Sequence, residues 1–327
     1  MKISKQPLIL MVSCFMLLQS GCNWGRDNNR TNPNTVRGLD FRANDARIAL
    51  TRIGQAQYFP INEFLKVIGY HSSLNESNQS MLIGDTDPAY RIQVGSKLAE
   101  KEEQSITLSE SPVMKDGQLF VPTTVLSDLF EQDIHYRIEK NEIIVRSVSD
   151  EKFTLDEMDL QTPATDSKAF FSDDPNDPFR DNGPKQNNFK AAAVKNINVN
   201  ALINTAKRYK GTPYKFGAKP YPVSHKFDCA SFAQYVFGRY GVKLRRVSRN
   251  QAKQGIPVSR KSLRKGDLVF FSVPGRFKSD KIVGHVGIYI GNGQMINTFS
   301  NKKGVHITSV NKGYWSRKYL GARRVVS

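Results

Sequence analysis

The sequence predicts an α+β protein with two small domains, on three observations. A strand–helix–strand pattern occurs twice in the first half. In the second half a cysteine opens an apolar helix and is followed by strands of clean alternation. The charge also changes sign between the halves: from residue 193 onward, 27 Lys and Arg face only Asp228, Asp267 and Asp280, a net of +24, and since the 327-residue chain carries +18, residues 1–192 carry −6. Two bodies of opposite charge imply a boundary between them.

The chain opens as an export signal. Lys2 and Lys5 precede the apolar run Leu8 to Leu18, and Ser20-Gly21-Cys22 follows. A positive start, a short apolar core and small residues before a cut make a secretory signal, here residues 1–21, too short to span a bilayer comfortably. Ser20-Gly21-Cys22 resembles a bacterial lipoprotein cleavage site, which implies lipid on Cys22 and an anchor at the outer face of the membrane. Residues 22–35 are polar and Asn/Arg-rich and read as a tether.

Residues 36–147 hold the repeat. Tyr58-Phe59-Pro60 leads into Phe64, Leu65 and Ile68 at helical spacing and then the strand-like Met81-Leu82-Ile83. Leu119-Phe120-Val121-Pro122 leads into Val125, Leu126 and Leu129 and then Ile143-Ile144-Val145. Each copy reads as strand, Pro at the helix start, short helix and strand. Tyr90 to Gly95 alternates like a half-exposed strand, and Lys115-Asp116-Gly117-Gln118 supplies a hairpin turn. This pattern resembles the copper amine oxidase N-terminal-like domain of bacterial surface proteins, and implies a spacer or binding module. His71 and His135 follow the two helices, with no third ligand at metal spacing, so they read as surface or packing histidines. Residues 148–192, rich in Asp, Pro, Asn and Ser, read as a disordered linker.

Chemistry concentrates in residues 193–327. With Cys14 and Cys22 assigned to export, Cys229 is the one thiol without a structural role. Asp228-Cys229 opens a helix with apolar positions Phe232, Tyr235, Val236 and Tyr240. A helix N-terminus favours the thiolate, which is the nucleophilic form, and its N–H groups can hold an oxyanion. A base must come from His225, His285 or His306. His285 lies in the alternating Gly284-His285-Val286-Gly287-Ile288-Tyr289-Ile290-Gly291, on the face of Gly287 and Tyr289, with glycines on either side that permit close approach. Past the turn Gly291-Asn292-Gly293, Asn297 stands on the next strand, where a group that orients the imidazole must sit.

These residues resemble the NlpC/P60 cysteine peptidases of bacterial cell walls. The matching pieces are Tyr214-Lys215-Phe216-Gly217, Phe227-Asp228-Cys229, Arg246-Val247-Ser248-Arg249-Asn250-Gln251, Lys265-Gly266-Asp267-Leu268-Val269-Phe270-Phe271, His285-Val286-Gly287-Ile288-Tyr289 and Met295-Ile296-Asn297, in order over about 130 residues. The resemblance implies a papain-like α+β catalytic domain with the Cys-bearing helix packed on an antiparallel sheet. It implies hydrolysis of peptidoglycan stem peptides, typically between D-γ-glutamate and a diamino acid. Cys229 would attack, His285 would shuttle the proton, Asn297 would orient His285, and Tyr214, Asp228, Arg246 and Ser248 would shape the substrate pocket. The family's Asp-Cys-Ser-Gly is Asp228-Cys229-Ala230-Ser231 here, which moves a hydroxyl one place along the helix. Lys219 to His225 adds a lip before the nucleophile.

No cofactor or metal is called for. Partners are expected to be peptidoglycan and anionic wall polymers, since an exported basic surface without a groove-entering module does not point to nucleic acid. An amidase or acyl-transfer enzyme with the same Cys-His pair, and an inactive wall-binding scaffold, are the alternative functions.

Overall fold

A computed structural model describes residues 45–77, 79–146, 197–273, 277–300 and 302–326. The expected signal peptide, tether, lipidation site Cys22 and linker 148–192 lie outside them. All of the described residues fall in one compact unit. No helix among the described residues is long and apolar enough to cross a membrane.

The first half runs β1 (Ala46–Ala49), β2 (Thr51–Ile53), β3 (Ala56–Pro60), α1 (Ile61–Val67), β4 (His71–Asn75), β5 (Ser80–Gly84), β6 (Pro88–Gln93), β7 (Leu98–Lys101), β8 (Gln104–Thr107), β9 (Val113–Lys115), β10 (Gln118–Pro122), β11 (Tyr136–Ile138) and β12 (Glu142–Val145). The two repeat copies meet directly, because β3 and β10 pair with Val121 opposite Phe59. Each then turns at its proline into a short helix, α1 in the first copy and a five-residue π-helical turn, Leu126–Phe130, in the second. Phe59, Phe64, Leu65, Ile68, Val121, Val125, Leu126 and Leu129 form one core, as the helical spacing predicts. The predicted turn at Lys115 to Gln118 joins β9 to β10, with Asp116 and Gly117 both at positive φ. Strands β4 to β8 form a meander of five, whose β5–β6 connection runs from Gly84 to Pro88.

The second half holds α2 (Val199–Arg208), α3 (Tyr221–Ser224), α4 (Cys229–Gly238), α5 (Ser248–Gln251), β13 (Ile256–Val258), β14 (Leu268–Phe271), β15 (His285–Gly291), β16 (Gln294–Thr298), β17 (Val305–Ser309), α6 (Gly313–Lys318) and β18 (Tyr319–Arg324). Six antiparallel strands stand in the order β13-β18-β14-β15-β16-β17. Alternation sorts their side chains. Val286, Ile288 and Ile290 of β15 join Leu202, Ile203, Phe232, Ala233 and Val236 of α2 and α4 in one core, while Val269, Phe271, Tyr289, Met295 and Trp315 form a second. The Cys-bearing helix thus packs on the antiparallel sheet, as predicted. The added lip is α3, whose Tyr221 stacks on Phe227 at 4.6 Å just ahead of Cys229.

Gly287 is the close-approach point that the sequence marks. A Cβ there would stand 2.5 Å from Met295 Sδ and 3.3 Å from Asn297 Cβ on the neighbouring strand. Gly287→Ala should therefore cost about 1–3 kcal/mol of stability, the usual price of overpacking a filled core. Urea denaturation reads it directly, and an unchanged midpoint would contradict the packing.

Candidate active site

Helix α4 is fixed at its first turn. Asp228 is its N-cap: its carboxylate accepts the Ser231 N–H at 2.8 Å, while Ser231 Oγ accepts the Asp228 N–H at 2.9 Å. The hydroxyl that the sequence moves one place along the helix thus closes a capping box. The same Asp228, fully buried, takes a two-pronged bond from Arg246, one prong at 3.0 Å. Gln251 donates to the carbonyls of Ala230 (3.0 Å) and Arg245 (2.8 Å), tying segment 245–251 back to the helix. One residue downstream of this cap, Cys229 stands at the first position of the helix.

The imidazole is fixed from the sheet. His285 Nε2 lies 3.0 Å from Asn297 Oδ1 across β15 and β16, so Nε2–H donates and the lone pair is on Nδ1. Trp315 stacks on the ring at 4.7 Å and Phe299 meets it edge-on at 5.0 Å. Nδ1 is buried and has no hydrogen-bond partner. This aromatic enclosure disfavours imidazolium: burial pulls His285 down to about 3, against a smaller upward pull from Asn297.

The thiol reaches the start of β15. The Val286 N–H donates to Cys229 Sγ, and the Thr86 hydroxyl, 3.1 Å from the same sulfur, donates to the carbonyl of Gly284. The sulfur therefore rests against residues 284 to 286, the stretch that carries the histidine. In this arrangement no hydrogen bond joins Sγ to Nδ1; such pairs commonly tighten only when substrate is bound. The expectation of a standing thiolate is corrected here. Burial first, then the Asp87 and Asp228 carboxylates, push Cys229 well above the usual thiol range, and the Val286 hydrogen bond offsets only part of it. The helix N-terminus is present as predicted, but desolvation outweighs it.

The other expected site residues gather round the thiol. The Tyr214 hydroxyl donates to the Thr86 carbonyl at 3.0 Å, and the Ser248 N–H donates to Asp87 Oδ2 at 2.5 Å. Ser248 Oγ is buried without a partner. Burial and the neighbouring Asp228 push Asp87 up to about 6, while the bond from Ser248 and the charge of Arg246 pull it down. His306 turns Nδ1 to the Gly304 carbonyl at 2.9 Å, and His225 caps α3 at φ 51° and meets Tyr221 edge-on, so neither serves the thiol. Among the described residues no group of three or more His, Cys, Asp or Glu could hold a metal ion.

Sequence reasoning missed Asp85, Thr86 and Asp87, which come from the other half of the chain, and Trp315. The His285–Trp315 stack had no periodic signal to reveal it. Thr86 and Asp87 sit in an ordinary-looking Asp-Thr-Asp-Pro turn, more than 140 residues from the thiol.

The NlpC/P60 family profile matches residues 211–324, and that of the copper amine oxidase N-terminal domain matches residues 49–145. The chain is 37% identical over 136 residues to a murein DD-endopeptidase/LD-carboxypeptidase of Escherichia coli K12, covering 41% of this chain and 67% of that protein. The chain belongs to the NlpC/P60 family. It is a cysteine peptidase, and its catalytic half carries the family's sequence features. A γ-D-glutamyl-L-lysine dipeptidyl-peptidase of Bacillus cereus is 34% identical over 38% of this chain and 35% of its own length. A solved NlpC/P60 protein of Staphylococcus aureus Mu50, titled as similar to a lipoprotein, is 27% identical over 45% of each chain with a TM-score of 0.34.

His285 gives the site a pH signature. Its folded-state value of about 3 lies below the ordinary 6.5, so as pH falls through 6.5 the unfolded chain takes a proton that the folded one refuses, and stability is lost. His285→Gln removes that loss. Between about pH 7 and pH 4.5 the variant's melting temperature should fall less than the wild type's; calorimetry that shows equal slopes would contradict the buried neutral imidazole.

Proposed function

We propose that this peptidase is an exported cell-wall hydrolase that cleaves amide bonds in peptidoglycan stem peptides, at the bond between D-γ-glutamate and the diamino acid, by a Cys229–His285–Asn297 thiol mechanism. The observation that supports it is a capped helix-N-terminal thiol resting against the start of the strand that carries His285, an imidazole whose Nε2–H is committed to Asn297 and whose Nδ1 lone pair is free.

The chemistry follows from that arrangement. With substrate seated, Nδ1 takes the thiol proton as Sγ attacks the carbonyl carbon, and the N–H groups at the start of α4 receive the developing oxyanion. Imidazolium then protonates the departing amine, leaving a thioester. Water, deprotonated by the same Nδ1, releases the acid and restores the thiol. Asn297 keeps the ring in the tautomer each step needs. Tyr214, Ser248 and the Asp228–Arg246 pair form the pocket beside the sulfur and contact the substrate. The names of the Escherichia coli and Bacillus cereus relatives support a wall-peptide substrate. Cys22 carries lipid and holds the enzyme at the outer face of the membrane, and the basic catalytic half attracts anionic wall polymers.

The full chain incubated with purified muropeptides, followed by mass spectrometry, should release fragments with new amine ends at the γ-glutamyl bond. Cys229→Ala should give none, and His285→Ala should lower kcat by about 10²–10⁴-fold. Products cut at another bond would overturn the bond assignment, and an active Cys229→Ala would overturn the mechanism.

A further inference from the structure

The β5–β6 turn is in an unusual place for its composition. Asp, Thr, Asp and Pro are residues of solvent-facing turns, yet Asp85, Thr86 and Asp87 are only 6%, 3% and 5% exposed. They are buried because the turn enters the active site. Thr86 presents its hydroxyl 3.1 Å from Cys229 Sγ and its carbonyl to the Tyr214 hydroxyl. Asp87 occupies the Ser248 N–H. The residues assigned above to attack and to substrate contact are thus in contact with the protein's own chain, and Cys229 and His285 are sealed from water.

Geometry and charge hold the turn there. Gly84 lets it fold tightly, since a Cβ would stand 2.1 Å from the Asp87 carbonyl oxygen, and the His71 imidazole bonds the Asp85 carbonyl at 2.7 Å. Around it, acids of the first half meet bases of the second. Arg249 pairs with Asp133 at 2.8 Å and Glu102 at 3.1 Å, Lys253 with Glu102 at 3.2 Å, and Arg245 with Glu103 at 3.2 Å. These pairs anchor segment 245–253, the same segment that carries Arg246 and Ser248.

A carbonyl carbon attacked by Sγ must come within about 3.5 Å of it, the range in which the Thr86 hydroxyl now sits. We propose that the Asp85–Asp87 turn is an autoinhibitory plug, latched by the acid–base contacts of the two halves, and that it withdraws before substrate enters. The proposal rests on Cys229 being the nucleophile. The closed form holds the thiol neutral and dry; withdrawal admits substrate and lets the thiol proton pass to Nδ1.

Two full-chain variants test it. Thr86→Ala/Asp87→Lys removes the thiol contact and sets a cation beside Arg246. Iodoacetamide labelling of the Cys229 peptide, read by mass spectrometry, should speed up by about tenfold or more, with muropeptide turnover rising alongside. Unchanged labelling, or faster labelling with turnover below that of the wild type, would overturn the plug. Thr86→Cys keeps the size of the side chain and should form a disulfide with Cys229 on mild oxidation, silencing the enzyme until dithiothreitol restores it. Failure to cross-link, or wild-type turnover while cross-linked, would overturn it equally. Labelling and cross-linking need no substrate. Faster labelling with no fragment released by either wild type or variant therefore keeps the plug and removes the substrate assignment instead.

Discussion

Desolvation of one thiol and one imidazole is the constraint on which the site depends. Cys229 and His285 lie almost wholly out of water, and in that environment each is neutral: the thiol is pushed up and the imidazole down. The helix N-terminus, the Asn297 orienter and the aromatic enclosure are all in place, but their electrostatic pull is set against burial. A pair held neutral when covered and free to exchange a proton when uncovered has its reactivity governed by what covers it.

The covering of Cys229 comes from the first half of the chain, which gives the charge asymmetry of the sequence a second meaning. The acidic and basic halves meet inside the molecule, through Glu102, Glu103 and Asp133 on one side and Arg245, Arg249 and Lys253 on the other. Part of the positive charge that reads as attraction for wall polymers is therefore spent on the protein's own first domain. Arg246 links the two roles: it bonds the N-cap of the helix that Cys229 opens, and its own N–H donates to Glu103 at 3.0 Å.

What was legible in the sequence was local and periodic. Asp228 ahead of Cys229 announces a capped helix, the alternation of residues 285–290 announces a strand with its histidine on one face, and Gly287 announces the close approach that lets His285 reach Asn297. The repeat halves were legible because their prolines and apolar spacings recur. The Asp85–Asp87 turn was not, because its composition is that of any exposed turn and its partners lie in another domain. The protonation state of Cys229 was misread for the same reason. A helix N-terminus can be seen in sequence, whereas burial by a distant segment cannot. Trp315 fell outside every pattern, in a short helix after the last site motif.

The most direct measurement is the ultraviolet absorbance of thiolate near about 240 nm, taken as the difference between the full wild-type chain and Cys229→Ser at about pH 7. A buried neutral thiol under a seated turn gives no difference band, and one appears only as the pH climbs above the ordinary range for cysteine. A full thiolate band already present at neutral pH would contradict the closed, protonated site.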